Sequence, residues 1–156
     1  MHGNNEIGNI NDLKTISKIC EKYDTIFHSD TVQTVGHYHI DLNEINMQGI
    51  VGSAHKFHGP KGVGFLYLNN KHKISPFIHG GAQERNMRGG TENVYGIIGL
   101  SEALTLSYNN IEDHKSKIQK LKKYMIDSLK KKIKGVKFNG MSSSVDKSLY
   151  TVLNVS

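Results

Sequence analysis

One cysteine, two prolines and no tryptophan occur among the 156 residues of this chain. A single thiol, Cys20, excludes any intramolecular disulfide. Scarce proline beside 16 glycines fits an α/β protein with many tight strand-to-helix turns. No stretch approaches the roughly 20 apolar residues of a membrane span. The first residues lack the charged-then-apolar pattern of a secretory signal, so a cytoplasmic chain is expected, with no membrane partner. Acids are outnumbered, 14 against 20 bases, for a net charge of +6. Such an excess can indicate nucleic acid, but its placement argues otherwise. Lys115, Lys117, Lys120, Lys122, Lys123, Lys130, Lys131, Lys132 and Lys134 lie along one predicted helix, where they form a solvated face. Without a nucleic-acid motif, direct nucleic-acid binding is not expected. The length allows one domain with a real core and is too short for two of ordinary size.

Hydrophobic spacing predicts a helix over 12–23, capped by Asn11 or Asp12. Leu13, Ile16, Ile19 and Cys20 fall on one side of it, which makes Cys20 a packing residue rather than a reactive one. Short strands are predicted at 25–29, 48–53 and 63–68. Residues 75–93, polar and glycine-rich around Arg85 and Arg88, read as a long functional loop. Helices follow at 93–108 and 111–134, the second with Ile111, Ile118, Leu121, Met125, Leu129 and Ile133 as its apolar stripe. Two further strands are expected near 136–139 and 149–155.

Asp30 ends the first strand, and Ser53, His55 and Lys56 leave the second. In open α/β sheets that carboxyl edge is where ligands bind. A lysine amine attacks an aldehyde only when neutral, which calls for a partly desolvated pocket. A carboxylate beside a pyridine nitrogen keeps that nitrogen protonated and the ring electron-withdrawing. Lys56 and Asp30 are the candidates for these two roles. His37 and His39 alternate as a metal pair would, but no third ligand follows at sensible spacing. Exposed strand or loop positions are expected for both, and no metal.

The segments Asn4-Asn5-Glu6-Ile7-Gly8, His28-Ser29-Asp30-Thr31-Val32-Gln33, Ser53-Ala54-His55-Lys56 and Gln83-Glu84-Arg85-Asn86-Met87-Arg88-Gly89-Gly90-Thr91-Glu92-Asn93 resemble the cysteine desulfurases of the NifS/IscS group. These are class V aminotransferase-like, fold-type I pyridoxal phosphate enzymes. The resemblance implies a largely parallel α/β sheet, with residues 1–110 in the large cofactor domain and 111–156 beginning a smaller C-terminal α+β domain. It implies that Lys56 bonds to the cofactor, that Asp30 pairs with its ring nitrogen, and that Gln33 and Asn5 lie by its phenolic oxygen. Ser53 and His55 become phosphate ligands. Thr91 reaches the phosphate of a partner subunit in a homodimer, and Arg85 and Arg88 shape the loop or the dimer contact.

The implied reaction takes L-cysteine to alanine and passes sulfur, as an enzyme persulfide, to an iron–sulfur scaffold or a tRNA-thiolation acceptor. The resemblance is to the family's middle part. The first phosphate loop and a ring-stacking histidine are expected before Met1. A nucleophilic cysteine loop and a carboxylate-binding arginine are expected after Ser156, so the chain by itself is expected to be inactive. A non-catalytic remnant, or a class V aminotransferase or lyase acting on another substrate, are the rival readings.

Overall fold

Leu13, Ile16 and Cys20 recur at three- and four-residue spacing and share one side of a helix, which decides where that helix lies. In the computed structural model, which describes residues 1–156, α1 spans Leu13–Lys22. Asp12 caps it, accepting the Thr15 amide at 3.0 Å and the Thr15 hydroxyl at 2.6 Å. One of the first turn's free amides is thereby satisfied, and the Thr15 hydroxyl and amide hold the Asp12 carboxyl below its usual range. Leu13 joins Phe27, Met47 and Ile50 in one buried cluster, with Ile16 and Cys20 packed at its margin. Cys20 thus packs as a small hydrophobe, while Ile19 points outward and is exposed.

Strands β1 (His28–Asp30), β2 (Gly49–Ser53) and β3 (Gly64–Leu68) form one sheet in the order β1-β2-β3. β1 and β2 run parallel, with Asp30 opposite Val51, and β2 and β3 run antiparallel, with Ser53 opposite Gly64. The α/β class is as expected, but the sheet is mixed rather than mainly parallel. A parallel return needs a crossover of about a dozen residues or more, and the connection 54–63 is shorter than that. Between β2 and β3 runs a one-turn 3-10 helix, Ala54–Phe57.

The loop 75–93 is irregular apart from α2 (Gln83–Asn86), a distorted turn in which Glu84 and Arg85 have positive φ. α3 (Val94–Asn109) is capped by Asn93, whose side chain accepts the Gly96 amide at 3.0 Å. It lays Leu100, Ala103 and Leu104 on a second cluster of Val35, Ala54 and Phe57. Gly36 makes this approach possible. Its φ is +78°, and a Cβ there would stand 2.7 Å from Phe57 Cβ.

α4 (Ile111–Lys132) departs from the expected stripe. Ile111, Lys122 and Ile126 are buried, whereas Leu121, Met125 and Ile133 are about half exposed. The helix is rotated because Lys122 runs its aliphatic stem inward and delivers Nζ to Ser148 Oγ and the Leu149 carbonyl, both at 2.7 Å. Lys122 therefore does not belong to the solvated lysine face. The two C-terminal strands are also absent as such. Phe138 and Val155 form a single bridge, flanked by reciprocal bonds between Lys137 and Ser156. Residues 148–150 turn instead to the N-terminal loop, where Ser148 bridges Asn9 and the Leu149 amide donates to Gly8 at 2.8 Å.

Candidate cofactor site

Register places the candidate residues. β1 and β2 are parallel neighbours, so their carboxyl ends share one edge, and Asp30, Ser53 and the turn carrying His55 and Lys56 emerge there. Asp30 is half-buried. One carboxylate oxygen accepts the Val32 amide at 2.9 Å, which fixes the side chain as an Asx turn and leaves the other oxygen free. The Asp30 carbonyl accepts the His2 amide at 2.8 Å, tying the N-terminal loop to the same edge. Gln33 follows within the turn that Asp30 starts. Behind it, fully buried Thr31 donates its hydroxyl to the Val51 carbonyl at 2.6 Å and braces β1 against β2.

Ser53 and His55 already touch, Oγ to Nδ1 at 2.9 Å. With the hydroxyl donating to Nδ1, the other ring nitrogen carries a proton and faces outward as a donor. Lys56 is exposed, and its Nζ forms no ion pair or hydrogen bond within the chain. Within residues 1–156 the Lys56 side chain lies open to solvent. Its backbone is held firmly, because Phe57 beside it is completely buried.

Two candidates stand outside this group. Asn5 occupies an exposed turn and donates to the Glu6 carboxylate at 2.9 Å. Thr91 is exposed ahead of α3, whose cap is Asn93. Within the chain no hydrogen bond ties either one to Asp30 or Lys56. Arg88 reaches the Gly90 carbonyl at 3.3 Å and helps to shape the loop.

Sequence reasoning missed His37. It is half-buried rather than solvent-facing, and its two ring nitrogens contact the Lys56 carbonyl and the Tyr150 hydroxyl, each at 2.9 Å. Burial lowers its pKa and pushes that of Tyr150 up to about 12. His39 is exposed as expected, near Glu112 at 3.7 Å. No signal in the sequence distinguishes the two, because Tyr150 lies 113 positions from His37.

The chain is similar to known proteins over its whole length. The cysteine desulfurase IscS of Dictyoglomus turgidum is 46% identical over 144 residues, covering 92% of this chain and 36% of its own length. A solved NifS-like protein superposes with a TM-score of 0.92 at 35% identity, covering all of this chain and 42% of that one. DndA from Streptomyces lividans superposes with a TM-score of 0.88 at 29% identity, over all of this chain and 44% of its own. The chain thus spans about a third of the length of the curated relatives it matches. The pattern of the class-V aminotransferases matches residues 1–156 from end to end, and the chain belongs to that family.

Proposed function

We propose that residues 1–156 supply the cofactor floor of a pyridoxal phosphate-dependent cysteine desulfurase. The observation that carries this reading is the shared sheet edge, where Asp30 leaves β1 and Ser53, His55 and Lys56 leave the adjacent parallel β2. The donor set fits pyridoxal phosphate: an unpaired primary amine for the aldehyde, a hydroxyl and an imidazole for the phosphate, a carboxylate with one free oxygen for the ring nitrogen, and the Gln33 amide for the phenolic oxygen. Bound there, the cofactor supplies a sink for charge developing on a substrate α-carbon.

The chain's own residues prepare that chemistry. Asp30, fixed by the Val32 amide, offers its free oxygen to a pyridinium proton. Ser53 and His55, already bonded to each other, give up little rotamer freedom on meeting a dianion. The buried Phe57 side chain anchors the turn that presents Lys56. Asn5 and Thr91 join the site only through groups outside the edge itself, Thr91 through a second copy of the chain. Phe77, Tyr95 and Ile98 are large apolar side chains left exposed, of the kind that a subunit contact covers, and they are compatible with such a homodimer.

The whole enzyme in this reading takes L-cysteine to L-alanine and hands sulfur to an iron–sulfur scaffold or a tRNA-thiolation acceptor. Residues 1–110 belong to its cofactor domain and 111–156 open the smaller one. The exposure of Lys56 supports a companion statement, that the isolated chain does not turn over. Incubation with pyridoxal phosphate, borohydride reduction and peptide mapping test the reading. Label is expected at Lys56 above all other lysines, and label spread in proportion to lysine exposure would remove Lys56 from the site.

A further inference from the structure

A one-turn 3-10 helix leaves carbonyls without intrahelical partners, and in Ala54–Phe57 those of Lys56 and Phe57 are met from elsewhere, while that of Ala54 takes the cap amide of His58. The Ala54 carbonyl also accepts the Gly59 amide at 2.8 Å. The Phe57 carbonyl accepts the Ser107 hydroxyl of α3 at 3.3 Å. The Lys56 carbonyl accepts His37 Nε2–H at 2.9 Å. A carbonyl only accepts, so the proton on His37 must sit on Nε2. Nδ1 then carries the lone pair, and the group facing it, the Tyr150 hydroxyl at 2.9 Å, must donate.

Tyr150 is itself placed by more than this bond. It is 2% exposed, its ring meets His37 edge-on at 5.8 Å between centroids, and its amide donates to the Tyr38 hydroxyl at 3.0 Å. The Tyr38 hydroxyl in turn lies 3.4 Å from the Ser148 carbonyl. His37 therefore sits between the turn carrying Lys56 and a segment from the far end of the chain. Burial disfavours the imidazolium most, the bond to the Lys56 carbonyl opposes that effect, and His58 after the turn and His114 on α4 add to it, so the pKa of His37 is lowered.

We propose that His37 is a positioning residue for Lys56: a neutral imidazole, locked by Tyr150 in the Nε2–H tautomer, clamps the Lys56 carbonyl and thereby aims the amine. The proposal rests on the reading of Lys56 as the cofactor lysine. The clamp acts on the backbone, so it directs the side chain without entering the site. Losing it frees Lys56 to swing, and the amine spends less time in line with the aldehyde.

Two measurements on the 156-residue chain test this. The first is 15N NMR of the histidine side chains near neutral pH. Nε2 of His37 is expected to be protonated and Nδ1 bare, and either an Nδ1–H tautomer or an imidazolium overturns the lock. The second is the rate of pyridoxal phosphate trapping by borohydride at Lys56. His37→Ala is expected to slow it about three- to tenfold, the range that loss of one hydrogen bond allows, while labelling of other lysines is unchanged. Tyr150→Phe keeps the ring packing, so it serves if His37→Ala fails to fold. It is expected to give part of the loss and a mixture of His37 tautomers, and the double variant should be no slower than His37→Ala alone. Selective labelling of Lys56 in the native chain with equal rates in both variants refutes the positioning role alone. Unselective labelling in the native chain refutes the Lys56 reading, and the proposal falls with it.

Discussion

Replacing Lys122 with methionine isolates the cost of burying an ammonium. Lys122 is 6% exposed and donates to two neutral acceptors, Ser148 Oγ and the Leu149 carbonyl. Neutral acceptors return only part of the hydration that a charge gives up. Burial accordingly lowers its pKa from 10.5 to about 8. Below about pH 8 the folded protein carries the charge at full cost. Between about 8 and 10.5 the folded lysine has released its proton while the unfolded chain still holds one, so stability rises with pH through that window. Above it both states are neutral and the penalty is gone. At about 1.4 kcal/mol per pH unit, the shift sets a ceiling of about 3 kcal/mol. Residual solvent at the ammonium reduces the expected gain to about 1–2 kcal/mol.

Methionine preserves the unbranched stem and removes both the charge and the donor. The stranded Leu149 carbonyl costs about 1–3 kcal/mol at every pH, an offset that the slope ignores. Tyr38, Tyr108 and Tyr150 work in the opposite direction. Burial raises all three, so the folded state keeps their protons longer and stability falls as pH climbs past the ordinary tyrosine range. That trend is common to both proteins and cancels in their difference. Urea unfolding from about pH 7 to about pH 10, followed by far-UV circular dichroism, is the assay. The native chain should gain about 1–2 kcal/mol on Lys122→Met over that span. A difference that stays constant with pH would mean that the ammonium is not desolvated.

Two substitutions probe the site itself. Gly36→Ala forces a side chain into positive φ and against Phe57 Cβ; the expected loss is about 2–4 kcal/mol in urea unfolding, with weaker cofactor trapping at Lys56 because Phe57 adjoins it. Asp30→Asn keeps the Val32 contact and discards the charge, so Lys56 should still be labelled. In the whole enzyme turnover should fall by on the order of a thousandfold, and undiminished turnover would take Asp30 out of the site.

The shared edge of Asp30 and Lys56 was legible because their placement is local. An acid that ends a strand and a lysine one turn past the next strand need only the parallel pairing of those strands to meet at one edge. The mixed sheet was also open to inference, from the length of 54–63 alone. Lys122 was hidden by its neighbours: among so many lysines it read as one more solvated charge, and counting it as polar shifted the expected stripe of α4 around the helix, so that Leu121 and Met125 were placed inward while Ile111 was placed correctly. The strands near 136–139 and 149–155 failed for a related reason. A local pattern does not name a distant partner, and Leu149 packs beneath Gly3, where a Cβ would meet it at 2.8 Å.

These contacts bear on how the chain divides. A boundary near residue 110 follows the break between α3 and α4, but the polar bonds do not respect it. Residues 148–150 bond to Gly8, to Tyr38, to His37 and to Lys122, so the segment that buries the Lys122 ammonium also sets the tautomer facing Lys56. Hydrogen bonds within one network couple, and their free energies do not add. The edge that gathers Asp30, Ser53 and Lys56 is thus specified by strand register alone, while the aim of Lys56 depends on chain that arrives almost a hundred residues later. Placement of the site and its precision have separate origins in this sequence.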